Sequence, residues 1–284
     1  MNVADAMTPR TDLVTVSLPG TRDDVLTYLQ EYRFSSVPVV KGEGDEEVYR
    51  GLVSRDDLID KPDEDQLALL MRETPTVTPD TNLRDAAQVM LSGSRRIPVV
   101  HEHNGDALAG IITVTDIVAA IARGKVDTAA VCADVTGTDV NTVYTGTPLT
   151  VAERQLFFAN VPYAVVLGDD GDMDGMLTEV DILDVARVVE GEDDTGDSIA
   201  DQDDDWKWEG IKAIGAAYVP TRNVEIPAEP VTGFMTEDVT TVSRTRSVKE
   251  AAQEMITEDI EQLPLQAGGE LVGIVRDVNL LEAL

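Results

Sequence analysis

The stretch GIITVTD, residues 110–116, decides the fold, because the chain writes it four times. The other versions are GLVSRDD at 51–57, GMLTEVD at 175–181 and GIVRDVN at 273–279. Each is a glycine, two apolar residues, a polar residue, and an acid or amide six positions after the glycine. Upstream of each stands an apolar residue followed by proline: Val37-Pro38, Ile97-Pro98, Val161-Pro162 and Leu263-Pro264. Further upstream stands a Thr-Val pair: Thr15-Val16, Thr76-Val77, Thr142-Val143 and Thr241-Val242. From that valine to that proline is 22, 21, 19 and 22 residues. Such recurrence marks a repeat architecture.

Each repeat reads as β-α-β-β-α. The Thr-Val pair opens a short extended stretch, closed by turn formers such as Pro79-Asp80-Thr81. Leu83, Ala86, Ala87, Met90 and Leu91 then fall at helical spacing, as do Val248, Ala251, Ala252, Met255 and Ile256, giving one apolar stripe per helix. Thr81 and Ser247 stand where a cap is needed. The run IPVV, the polar turn HEHNGD and the run LAGIIT form a hairpin pattern, and TDIVAAIA closes the unit as a helix. A unit of this size has too small a core to stand alone comfortably, so units should pair.

Composition narrows the function. Fifty-four acids against 22 bases, only six of them lysine, give a net charge of −32. That charge disfavours nucleic acid and anionic membrane as partners. Acid-rich, lysine-poor surfaces resemble those of proteins from salt-saturated cytoplasm, where ions screen self-repulsion. No run of about 18 apolar residues spans a membrane, and the N-terminus MNVADAMTPR lacks the apolar core of a signal peptide. The lone Cys132 fits a reducing, cytoplasmic setting and reads as a buried, inert thiol.

The three markers in this order resemble the CBS domain, named after cystathionine β-synthase. The resemblance implies an α+β fold of four βαββα units arranged as two pseudo-twofold tandem pairs, able to close into a flat disc. The units fall at 1–62, 63–125, 126–190 and 230–284, with 191–229 an acidic loop and Trp-containing insertion. Members commonly bind AMP, ADP, ATP or S-adenosylmethionine in clefts between paired units, and regulate a partner protein.

By that resemblance, the carboxylates of Asp57, Asp116 and Asp181 would accept from ribose hydroxyls, which suits an acceptor with two oxygens. Ser54, Thr113 and Thr178, at the start of the closing helix, would favour phosphate. The backbone around Thr76-Val77 and Ile97-Pro98 would border the base, Thr15, Val37 and Pro38 are further expected ligand contacts, and Arg96, beside Arg95, would supply cationic charge. On residue type alone, Thr113 and Asp116 are helix caps about twice as often as ligands. The fourth unit has Arg276 and Asn279 instead, trading a carboxylate for a phosphate fork. Tyr163 is bulky near the expected slot of the third unit, so fewer than four sites should fill, the first pair foremost.

Residues 191–205 are a like-charged acidic run, expected as a loop. The following segment holds Trp206 and Trp208 with Lys207, Lys212 and Arg222, expected to pack on the repeats or, alternatively, to dock an effector. Asp170, Asp172 and Asp174 imitate half a calcium loop, but strand-like flanks make them a hairpin turn. His101 and His103 lack a third ligand, so no metal is expected. No nucleophile–base constellation occurs, which argues against an enzyme. The expectation is therefore a regulatory adenine-nucleotide-binding protein with no catalytic cofactor and an unknown regulated partner, with a homodimer open to it; the alternative is a ligand-free scaffold that docks a partner through the Trp-containing insertion.

Overall fold

The computed structural model describes residues 1–31, 36–42, 44, 47–54, 57–58, 61, 64–101, 106–190 and 222–284. The acidic run 191–205, the tryptophans with Lys207 and Lys212, and His103 therefore lie outside the described residues.

Four small sheets follow the four sets of markers. After the short strand β1 (Thr8–Pro9), repeat one contains β2 (Val16–Leu18), α1 (Arg22–Glu31), β3 (Ser36–Lys41) and β4 (Val48–Ser54). The one-turn helix α2 (Leu67–Leu70) leads to repeat two, with α3 (Leu83–Leu91), β5 (Arg96–His101), β6 (Ala107–Thr113) and α4 (Val114–Ala122). The one-turn α5 (Cys132–Val135) precedes repeat three: β7 (Thr142–Tyr144), α6 (Leu149–Ala159), β8 (Tyr163–Leu167), β9 (Met173–Thr178) and α7 (Glu179–Val185). An antiparallel ribbon, β10 (Arg187–Glu190) with β11 (Arg222–Glu225), comes next. Repeat four has β12 (Val242–Ser243), α8 (Val248–Glu258), β13 (Gln262–Ala267), β14 (Glu270–Arg276) and α9 (Asp277–Leu280).

In repeats one, three and four the Thr-Val strand runs parallel to the apolar-Pro strand, which then folds back as an antiparallel hairpin. In repeat two that opening strand is reduced to one parallel bridge, Val77 to Val99. The β-branched runs fill their hairpins: Val37, Val39, Val40, Ile97, Val99 and Val100 are buried. A register shift recurs just after the middle of the hairpins, at Val39/Val40, Val99/Val100 and Val166/Leu167.

In three of the four motifs the opening glycine is there because another strand of chain crosses it. A side chain at Gly51 would meet the carbonyl of Arg72 at 2.7 Å, and one at Gly175 would meet that of Thr236 at 2.7 Å; at Gly110 it would collide with the carbonyl of Thr8. These crossings are exchanges. The segment opening repeat one pairs on the sheet of repeat two through Thr8–Ile111, and the segment opening repeat two pairs on repeat one through Leu52–Arg72. Repeats three and four repeat the device with Met176–Thr236 and Gly137–Ile274. Pairing, inferred above from core size, is thus built into the backbone.

The helical stripes hold apart from their last residue: Leu83, Ala86, Ala87, Met90 and Val248, Ala251, Ala252, Met255 are buried, whereas Leu91 and Ile256 are partly exposed. Ser247 caps α8 as expected, its hydroxyl accepting from the Glu250 N–H. The cap of α3 differs. Asn82 accepts from the Arg84 N–H, while Thr81 accepts from Thr78 one turn earlier, because the shorter hydroxyl closes the turn before the helix.

The chain divides into two compact units, one of 1–136, 245–262 and 275–284 and one of 137–244 and 263–274. In the first, α4 packs against α8 and α9.

Candidate functional site

The site is a cavity of about 450 Å³ in the first unit. Its walls come from both members of the first pair. Ser36 starts β3; Leu52 and Ser54 end β4; Arg72, Glu73, Thr74 and Pro75 form the segment that crosses Gly51; Gly93, Ser94, Arg95 and Arg96 join α3 to β5. The crossing at Gly51 is what brings the linker and the hairpin end to one place.

Three guanidinium groups line this space against one carboxylate, Glu73. In a chain carrying −32, that is a local reversal of sign. Arg96 donates to the Ser36 hydroxyl at 3.0 Å, and among the described residues no carboxylate pairs with it. Burial, and then the neighbouring Arg95, push its pKa down from the ordinary arginine value, yet it stays charged. Arg72 donates to the Ser54 hydroxyl at 3.0 Å and pairs with Asp57 at 3.2 Å. Arg95 turns the other way, to Asp277 and Glu261. The wall residue Thr74 is hydrogen-bonded to the Tyr49 hydroxyl at 2.9 Å. Burial pushes that phenol up to about 12, so it stays protonated at neutral pH.

Behind the wall stands the motif carboxylate. Asp57 Oδ2 accepts from the Ser54 N–H at 2.7 Å and from its hydroxyl at 2.6 Å, while the Asp57 N–H donates back to that hydroxyl at 3.3 Å. Thr113 with Asp116 and Thr178 with Asp181 form the same reciprocal pair. Each caps a closing helix. In repeat four the Arg276 N–H donates to Asn279 at 3.0 Å, so the amide does the same task. The cap consumes Oδ2 only. In repeats two and three no hydrogen bond to Oδ1 occurs among the described residues, which leaves an acceptor for a second partner. Burial raises the Asp116 carboxyl above the usual carboxylate range, against the hydrogen bonds from Thr113 that lower it.

Comparison with known proteins bears on what such a cleft is. The CBS domain model matches residues 3–64, 67–123 and 231–284. The chain belongs to the CBS domain family. The third repeat falls between the matched segments and carries the same strand order, β7-β8-β9. Protein MJ1404 of Methanocaldococcus jannaschii is 29% identical over 274 residues, which cover 95% of this chain and 59% of that protein. The chain thus spans about three-fifths of that curated relative's length. A conserved protein of known structure from Pyrococcus horikoshii is 28% identical and superposes with a TM-score of 0.69 over 99% of both chains. Protein MJ1225 of Methanocaldococcus jannaschii, described as an archaeal homologue of g-AMPK, superposes with a TM-score of 0.64 over 99% of both at 20% identity, which bears on the fold alone.

Within this CBS pair the residues expected at a ligand separate into groups. Ser54 and Arg96 line the cavity, and Asp57 lies directly behind Ser54. Val37, Pro38, Ile97 and Pro98 are buried in β3 and β5, off the cavity wall. Val77 is buried on Val99 and Thr76 is exposed; the linker's contribution comes two residues earlier, from Thr74 and Pro75. Thr15 accepts from Arg10, which forks onto Glu47 at 2.6 and 2.7 Å. Thr113, Asp116, Thr178, Asp181 and Arg276 stand at the starts of the other closing helices. In the second unit Tyr163 is buried with Val165, Met176 and Ile274.

Ser36, Arg72, Glu73, Thr74 and Pro75 were not anticipated. Ser36 had a signal: it precedes Val37-Pro38 as Arg96 precedes Ile97-Pro98. Arg72 had none, since its place follows from the crossing at Gly51.

Proposed function

We propose that this CBS protein is a regulatory sensor of adenine nucleotides, binding AMP, ADP or ATP in the cleft of its first pair and passing that state to a partner protein. The carrying observation is a 450 Å³ cavity, within the size range of small-molecule sites, lined by Arg72, Arg95 and Arg96 in a strongly acidic chain. Phosphate oxygens accept from guanidinium forks. Arg96 takes the phosphate first, because it lacks a carboxylate to give up. Leu52 and Pro75 offer an apolar face for the base, and Oδ1 of Asp57 offers an acceptor to the ribose once Arg72 moves to the phosphates.

S-adenosylmethionine fits this cleft less well, since its sulfonium would face three cations. No catalytic step is assigned to the cleft.

Calorimetry and melting in AMP, ADP, ATP and S-adenosylmethionine test the reading. The expected result is heat and a raised melting temperature with the phosphorylated ligands, worth about 2.7 kcal/mol at a hundredfold excess over the dissociation constant. No heat and no shift with any of them leaves a scaffold instead.

A further inference from the structure

Arg95 lies on the cavity wall, but its charge is spent elsewhere. Its Nη2 donates to Asp277 Oδ2 at 2.6 Å and to Glu261 Oε2 at 3.2 Å, and its Nη1 donates to Asp277 Oδ1 at 3.2 Å. Asp277 is the first residue of α9 and its side chain is 7% exposed. Its N–H donates to the Glu261 carbonyl at 2.8 Å and its Oδ1 accepts from the Val278 N–H at 2.7 Å. Next along the chain, Leu280 and Leu281 are wholly buried, in the turn that packs on α3 and α4. The carbonyl of Arg95 itself accepts from the Val114 N–H at the start of α4. One arginine on the cavity wall of the first pair therefore ties down the last helix of the fourth repeat.

We propose that Arg95 is a latch: an anion in the cavity draws it off Asp277 and Glu261 and loosens the C-terminal segment 277–284. This rests on the cavity taking an anionic ligand. A guanidinium presents its donors in one plane and cannot give its fork to the Asp277 carboxylate and to a phosphate at once. Losing Arg95 leaves Asp277 with a buried charge and only backbone partners, which disfavours the docked α9. Coupling is reciprocal, so whatever weakens the carboxylate grip must strengthen the ligand's.

The test compares the wild type with Asp277→Asn and Glu261→Gln, titrated with ATP and, separately, with inorganic pyrophosphate. Asparagine keeps an acceptor for the Val278 N–H, and Glu261 is more than half exposed, so at least one variant folds. ATP should bind Asp277→Asn about fivefold or more tightly than wild type, with a smaller gain in Glu261→Gln. Hydrogen exchange of the 278–284 amides should quicken on ligand addition in the wild type and be quick beforehand in Asp277→Asn. Equal or weaker ATP binding in both variants, with ATP still bound by the wild type, overturns the latch and spares the nucleotide reading. Pyrophosphate tightening in the variants without any ATP binding supports the latch and removes the nucleotide. No binding of either removes both.

Discussion

Asp57 is held by both of its oxygens, Oδ2 by the Ser54 N–H and hydroxyl and Oδ1 by Nε of Arg72 at 3.2 Å. On the proposed function, a ribose hydroxyl would compete with Arg72 for Oδ1. Arg72 is more than half exposed, so the ion pair is screened and the swing is inexpensive. On that reading the pair would act as a gate rather than as a structural tie.

Arg72→Ala should therefore separate ligands by charge. Adenosine, which needs only the ribose acceptor, should bind more tightly than to wild type. ATP should bind about equally or more weakly, because a phosphate cation is lost along with the gate. Calorimetric titration of both ligands checks this; equal gains for both would mean that Arg72 contributes nothing to phosphate.

Arg96 should dominate affinity for the phosphorylated ligands. Replacing it with alanine removes a half-buried charged donor and should weaken ATP on the order of ten- to a hundredfold, in keeping with 1.5–3 kcal/mol for hydrogen bonds to charged groups. Ser36→Ala, which only loses the 3.0 Å bond that orients Arg96, should cost less. Competition titration with a fluorescent nucleotide measures both.

Asp116 offers a pH test. Its folded-state carboxyl titrates above the ordinary range, chiefly through burial, so the folded state holds the proton more tightly than the unfolded chain does. Ionising it therefore costs stability as pH rises from below the unfolded value through the raised folded one. Asp116→Asn removes that titration and keeps the cap, as Asn279 shows in repeat four. Relative to wild type, its stability should rise between a pH below the ordinary aspartate value and a pH above the raised folded one. Asp116→Ala should lose about 0.5–2 kcal/mol by losing the cap. Urea unfolding at the two pH values decides; a wild type-to-Asn difference that is flat with pH refutes the linkage.

The crossings make two glycines unequal. Gly175→Ala would set a methyl 2.7 Å from the Thr236 carbonyl, a backbone atom that cannot move without unpairing Met176 from Thr236. Gly137→Ala meets nothing closer than the Ile274 carbonyl at 3.6 Å. The first should destabilise by roughly 1–3 kcal/mol and the second by less than 1, read as denaturation midpoints. Similar midpoints would show that the strap yields.

How much could be read beforehand varies with the range of the interaction. Ser247 was legible as a cap because a hydroxyl before an apolar stripe answers to local geometry. Thr81 misled by one residue, since two adjacent polar side chains, Thr81 and Asn82, compete for the same helix start. Asp116 was legible as either a cap or a ligand, and the geometry makes it a cap whose Oδ1 takes no hydrogen bond among the described residues. Ile97 and Pro98, whose backbone was expected beside the base, have their side chains buried in β5, so any contact they make there falls to the backbone.

The repeats, their strand order and the position of every motif acid were determined by the sequence alone, because apolar period, β-branching and helix capping act over a few residues. Which side chains share the cavity was decided only by the tertiary structure. Arg72 faces Ser54 and Asp57 across 18 and 15 positions because the linker crosses at Gly51, and Arg95 reaches Asp277 across 182 because the last helix packs beside the first pair. No local pattern encodes a meeting that depends on where two distant backbones are brought together.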